Sequence, residues 1–125
     1  MLVKTLEEML GTKGEAHGPR WHSMRLLHIE DGMGVTLTDS ILEAGFDMVI
    51  WQKNHLEACY CLEGRGTVED LNTGAVHEIR PGTLYAMNNH DRHRIRISQQ
   101  TRLICTFSPP LTGFEVHDTE GSLTA

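Results

Sequence analysis

The chain has 125 residues, of which 22 % are charged and 39 % apolar, the make-up of one soluble globular domain with a real core. Its formal charge of −6 argues against nucleic acid as a partner, because binding phosphate needs a basic face. No apolar run approaches the roughly 20 residues of a membrane span. Met1-Leu2-Val3-Lys4 also lacks the apolar stretch of a secretory leader, so a cytoplasmic protein with no membrane contact is expected.

Taken in order, Thr5-Leu6-Glu7-Glu8 reads as a capping box that opens a short helix to about Leu10, which Gly11 ends. Residues 11–20 read as a loop. Strands are expected near 23–29, 34–42, 46–53, 57–62, 66–71, 75–79, 83–87, 92–98 and 102–107. Gly64-Arg65-Gly66, Asn72-Thr73-Gly74 and Asn88-Asn89-His90-Asp91 are turn signals at hairpin spacing. Many short strands joined by tight turns define an all-β sandwich or closed barrel. The tail from Pro109-Pro110 has no period and is expected to lie over the barrel mouth, within a single domain spanning 1–125.

Side chains alternate along a strand, so parity sorts the faces. Arg92, Arg94 and Arg96 share a parity and face water, which turns His93, Ile95 and Ile97 inward. The same rule turns Leu103, Cys105 and Phe107 inward, away from Arg102 and Thr106. Glu57 shares parity with Cys59 and Cys61, and Tyr85 with Thr83 and Met87. Three cysteines without a paired framework fit a reducing compartment. A zinc–thiolate site on Cys59 and Cys61 would need two more soft ligands where only Cys105 remains, so none is expected. His17, His22, His28, His77 and His90 read as loop or surface residues, and His55 as a neighbour able to orient Glu57.

A carboxylate aimed into a barrel costs several kcal/mol unless a cation or hydrogen bonds compensate it. Glu57, Tyr85 and His93 together offer two oxygens and a nitrogen, a set for Fe(II), Mn(II) or Zn(II) rather than Cu(I). Three protein ligands leave room for a substrate. Spacing alone also allows His93 and Tyr85 to be ordinary wall residues, and Arg25 to be a surface strand arginine.

The residues resemble a known family. Glu57 with Gly64, and Pro81-Gly82 with Tyr85, resemble the two cupin motifs, with tyrosine where most cupins have histidine. Cupins are small jelly-roll β-barrels, here with a short N-terminal helix. More narrowly the chain is similar to ectoine synthases, from Val3-Lys4-Thr5-Leu6-Glu7 to Gly121. Asp31-Gly32-Met33-Gly34, Asn54-His55-Leu56-Glu57-Ala58, His90-Asp91-Arg92-His93 and Pro109-Pro110-Leu111-Thr112-Gly113-Phe114-Glu115-Val116-His117 carry the likeness. The resemblance implies cyclisation of N4-acetyl-L-2,4-diaminobutyrate to the compatible solute ectoine with loss of water. It implies Fe(II) on Glu57, Tyr85 and His93, with Zn or Mn as alternatives, and a homodimer. It places substrate contacts at Trp21, Arg25, Ser40, Gln52, Phe107, Glu115 and His117, and catalytic groups at Ser40, Cys105, Glu115 and His117. Ser40, Gln52, Trp51 and Thr38 depart from the residues the family usually has there. Those departures leave open a related cupin lyase or isomerase acting on another metabolite, or a non-catalytic small-ligand binder.

Overall fold

The computed structural model describes residues 1–112, 116, 117, 121, 123 and 124, the side chains of 116, 117 and 124 excepted. Helix α1 (Leu6–Met9) starts where the sequence places it: the Thr5 hydroxyl accepts the Glu8 amide at 3.2 Å. Ten strands follow among the described residues: β1 (Glu15–Gly18), β2 (Trp21–Arg25), β3 (Thr36–Leu42), β4 (Asp47–Ile50), β5 (Leu56–Asp70), β6 (Val76–Ile79), β7 (Leu84–Met87), β8 (His93–Ser108), β9 (Val116–His117) and β10 (Leu123–Thr124).

Two long antiparallel strands, β5 and β8, pair along most of their length, from Leu56 opposite Ser108 to Asp70 opposite His93. Each contributes to both halves of the sheet. In one half the order is β1-β2-β3-β8-β5-β7; in the other β4 and β6 flank the remaining parts of β8 and β5. Both halves feed one core, which joins Val68, Ile79, Ile95 and Ile97 to Cys59, Cys61, Leu103 and Cys105. This is the expected jelly-roll arrangement. Among the described residues no ladder joins the outer strands, so the sheet stays unclosed where a closed barrel is one expectation.

The expected breaks at 63–65 and 99–101 are absent. β5 runs through Gly64-Arg65-Gly66 with register shifts between Cys61 and Gly66, and β8 runs through Thr101 opposite it. These glycines bend the strand instead of reversing it. Gly64 has φ +109°, and a Cβ there would stand 2.3–2.5 Å from the Thr101 hydroxyl and the Gln100 carbonyl. The turn after Leu71 and the one at Asn88-Asn89 form as expected. β1 lies inside the expected loop 11–20. It is an edge strand whose one ladder among the described residues is its hairpin with β2, and its Glu-Ala-His-Gly sequence has little strand propensity of its own.

Parity holds on both long strands. His93, Ile95 and Ile97 are buried while Arg92 and Arg96 are exposed and Arg94 makes a two-pronged pair with Asp47. Three histidines read as loop or surface residues are drawn in, His22 by a 2.8 Å contact of its Nε2 with a Glu15 carboxylate oxygen. His28 is buried, because Ile29–Asp31 form a 3-10 turn that tucks it inward; among the described residues its ring nitrogens have no hydrogen-bond partner. The ring of His90 donates from Nδ1 to the Gln52 carbonyl at 2.8 Å. The tail is anchored: Leu111 is fully buried, its amide donates to the Thr36 hydroxyl at 2.7 Å, and its carbonyl accepts the Ile29 amide at 3.0 Å.

Gly64→Ala is expected to lower stability by roughly 2 kcal/mol or more, through the left-handed backbone and the collision with Thr101. Urea unfolding followed by circular dichroism measures it, and Gly74→Ala, where a Cβ meets nothing within 4 Å, is the control for backbone conformation alone.

Candidate active site

The core is hollow between the two halves. The cavity is lined by Trp21, Arg25, Ser40, Gln52, Glu57, Tyr85, His93, Cys105 and Phe107, so every residue proposed from the sequence as a ligand or substrate contact whose side chain is described reaches one space. Glu115 lies outside the described residues. His117 is placed in β9 by its backbone, with its side chain outside them.

Strand register sets most of this. Arg25 on β2 pairs with Thr38 on β3, Thr38 with Cys105 on β8, Cys105 with Cys59 on β5, and Cys59 with Tyr85 on β7. Five side chains from five strands thus stand in one row. Glu57 and Phe107 form a neighbouring pair, as do Ser23 and Ser40. His93 comes from the other half, where β8 pairs with Ile50 of β4.

The chemistry follows from dryness. Glu57 accepts a hydrogen bond from Cys59, but burial dominates and pushes its carboxyl up to about 7. Burial also raises the Cys59 thiol well above its usual range, with Cys105 adding to it. The Tyr85 phenol goes up for the same reason, with the charges of Cys59, Cys105 and Glu57 against its ionisation. His93 is buried, which disfavours its imidazolium; its bond to the Asp91 carbonyl partly offsets that. Since a carbonyl only accepts, Nδ1 carries the proton across that 2.8 Å bond and Nε2 is left with a lone pair. That is the form in which histidine binds a metal.

One ligand atom each from Glu57, Cys59 and Cys105 falls within 4.8 Å of the others. His93 is outside that group. Cys59 is therefore a member of the site that sequence reasoning set aside. Its parity with Glu57 is the signal in the sequence; its neighbour Cys105 lies across the ladder and not along the strand. Ser23 was also missed: it accepts from the Ser40 hydroxyl at 2.9 Å. Arg25 is buried rather than on the surface. The Gln52 carboxamide oxygen accepts the Leu123 amide at 2.9 Å, so this side chain ties the tail to the cavity wall. His55 is buried but donates to the Pro109 carbonyl at 2.8 Å and meets Phe107 edge-on; its bond goes to the tail instead of Glu57.

These features define a cupin-type fold with an inward set of oxygen, nitrogen and sulfur donors. An RmlC-like cupin from Shewanella frigidimarina superposes with a TM-score of 0.62 at 21 % identity, covering 76 % of this chain and 81 % of that chain. Far closer is the ectoine synthase from P. lautus, at TM-score 0.89 and 46 % identity, covering 100 % of this chain and 91 % of that one. An L-ectoine synthase from Desulfosudis oleivorans is 54 % identical over 123 residues, 98 % of this chain and 95 % of its own length. The family model described as ectoine synthase matches residues 1–125. The chain belongs to the ectoine synthase family.

Glu57 has its raised value in the metal-free protein, above the usual 4.5. The protonated carboxyl therefore favours the fold below pH 4.5, and that benefit is lost as pH rises through 7. Glu57→Gln is neutral throughout. In chelator-treated protein its melting temperature is expected to match wild type near pH 4.5 and to exceed it above pH 7, as differential scanning calorimetry would measure.

Proposed function

We propose that this chain is an L-ectoine synthase, closing N4-acetyl-L-2,4-diaminobutyrate to ectoine with loss of water. The observation that carries this is the convergence of Glu57, Tyr85 and His93 on the cavity that also holds Arg25. The donors fit a resident metal. A carboxyl buried in the cavity is costly without a compensating cation, and His93 presents an unprotonated nitrogen. Glu57, Tyr85 and His93 would hold the ion, Fe(II) by family likeness, with Zn(II) or Mn(II) also within the donor chemistry. Bound there, it supplies Lewis-acid polarisation of the amide carbonyl.

The chain's own residues do the rest. The Arg25 guanidinium matches the substrate carboxylate with two parallel donors. Trp21 and Phe107 wall the cavity and keep it dry, which strengthens each charge interaction inside it. Holding a flexible substrate folded, with its free amine against its amide carbon, replaces an improbable encounter with a positioned one. During ring closure the amine gives up its protons and the departing oxygen gains them as water. Ser40, Cys105, Glu115 and His117 are the groups assigned to carry those protons. Gln52 fixes the wall on which the tail rests.

We also infer a cytoplasmic homodimer. Tyr60, Leu62 and Leu84 are 45 %, 42 % and 65 % exposed on the outer face of the β5–β7 ladder, where a second copy would cover them. Light scattering on Tyr60→Glu is expected to report a monomer where wild type gives a dimer.

Incubation of the metal-loaded protein with the acetylated diaminobutyrate should yield ectoine, detected by chromatography. Ligand binding without turnover would favour a non-catalytic cupin instead. Glu57→Ala and His93→Ala are expected to lose bound metal and at least 100-fold in activity while keeping their strand signal in circular dichroism; full metal retention in either would remove that residue from the ligand set. Arg25→Lys keeps the charge but loses the fork, and is expected to raise KM about tenfold or more.

A further inference from the structure

Among the described residues, His28 alone is buried with side-chain polar atoms left unbonded: it is 3 % exposed, and neither Nδ1 nor Nε2 has a hydrogen-bond partner. Buried polar groups are ordinarily bonded, so this exception calls for a reason. The ring sits in a corner where several segments meet. Gly14 shows how tight that corner is. A Cβ there would stand 3.4 Å from His28 Nε2, 2.7 Å from the Arg25 carbonyl oxygen and 2.5 Å from Met9 Cε. Met9 ends α1 and Arg25 ends β2. The Gly14 carbonyl accepts the Arg25 amide at 2.7 Å, and the Ile29 amide donates to the Leu111 carbonyl of the tail at 3.0 Å.

The charges around the ring cancel in pairs. Lys4, from the N-terminal segment, bonds the Asp31 carboxylate at 2.8 Å and the Leu26 carbonyl at 2.8 Å. Lys13, from the loop after α1, pairs with Glu30 of the 3-10 turn. These four are the charged groups that face His28. α1 presents the apolar Met9 and β2 the backbone of Arg25, whose guanidinium side chain lines the cavity. Both carboxylates are thus committed to lysines, and the Asp31 oxygen that holds Lys4 also accepts the His28 backbone amide at 2.9 Å. The neutral ring fits such a corner. A charged ring would stand there without water and without a carboxylate of its own.

We propose that His28 is an acid-operated latch: a proton taken up by its ring opens the corner between α1, Gly14 and the 3-10 turn, and loosens the Arg25 backbone bonded there. The proton comes from solvent, and the charged ring is accommodated by admitting water. The direction follows from burial, which lowers the value of His28 below the usual 6.5. Above 6.5 the ring is neutral whether the corner is closed or open, and the latch adds no pH dependence. As pH falls below 6.5 the open form takes up the proton more readily than the closed one, so closure weakens. The consequence for substrate rests on the reading of Arg25 given above: a loosened Arg25 grips a carboxylate less well in acid. The latch itself does not depend on that reading.

Solution NMR on the full-length chain tests this without substrate. The amide protection factors of Arg25 and Ile29 are expected to fall about fivefold or more between pH 7 and pH 5. The ring nitrogen shifts of His28 should report a neutral imidazole until that protection is lost. In His28→Leu the same protection factors should hold within about twofold over this range. That separates the latch from packing alone, because lost packing lowers protection equally at every pH. Protection in the wild type that stays constant down to pH 5, or the same fall in His28→Leu, would overturn the latch. Should the variant fail to fold, the wild type decides: a charged His28 ring in a corner that is still protected overturns it, and charge that appears together with the loss of protection supports it. Neither readout involves substrate, so failure of the synthase reading would leave these outcomes unchanged, and failure of the latch would leave that reading standing.

Discussion

β5 and β8 lie side by side through nearly their full length, and the bend they share at Gly64 against Thr101 lets one ladder serve two halves of the molecule. Without the register shifts at that bend, strict alternation would put Glu57 and Val68, eleven residues apart, on opposite faces of β5, and its two ends would not face one interior. With it, β7 and β3 attach to one end of the pair and β4 and β6 to the other. Glu57, Cys59 and Cys105 come from the first end and His93 from the second, so the cavity exists because a single strand pair is folded over. The cost of threading a backbone so close to Thr101 is met by a residue with no Cβ.

The fold class could be read from the sequence because alternation and turn chemistry act locally. Arg92, Arg94 and Arg96 settle the orientation of His93 without any knowledge of what β8 pairs with. Where tertiary pairing decides, the reading fails. Gly64-Arg65-Gly66 has the composition of a reversal, and only the presence of β8 beside it makes it a bend. β1 has almost no propensity and becomes a strand because β2 offers it an open edge. His28 looked like a loop histidine, but the 3-10 turn that follows draws it inward.

The site divides in the same way. Glu57, Tyr85 and His93 could be nominated from spacing, parity and the family likeness, since a carboxylate on an inward face calls for a partner. Cys59 could not be paired correctly, because the relevant distance runs across the ladder and not along the strand. Gln52 lines the cavity and its Oε1 also accepts the Leu123 amide, while the His55 ring bonds the Pro109 carbonyl and not Glu57. Both steady the tail beside the cavity, a role that depends on segments far away in the chain.

The straight row from Arg25 through Thr38, Cys105 and Cys59 to Tyr85 has a bearing on how this protein must be dissected by mutagenesis. Neighbours in such a file share walls, charges and hydrogen bonds, so the free energies of single replacements there will not sum. Apportioning the effect of Tyr85 or Cys105 requires the double replacement and both singles measured together. Ranking the residues of this row by one-at-a-time alanine scans would count the same coupling energy several times over.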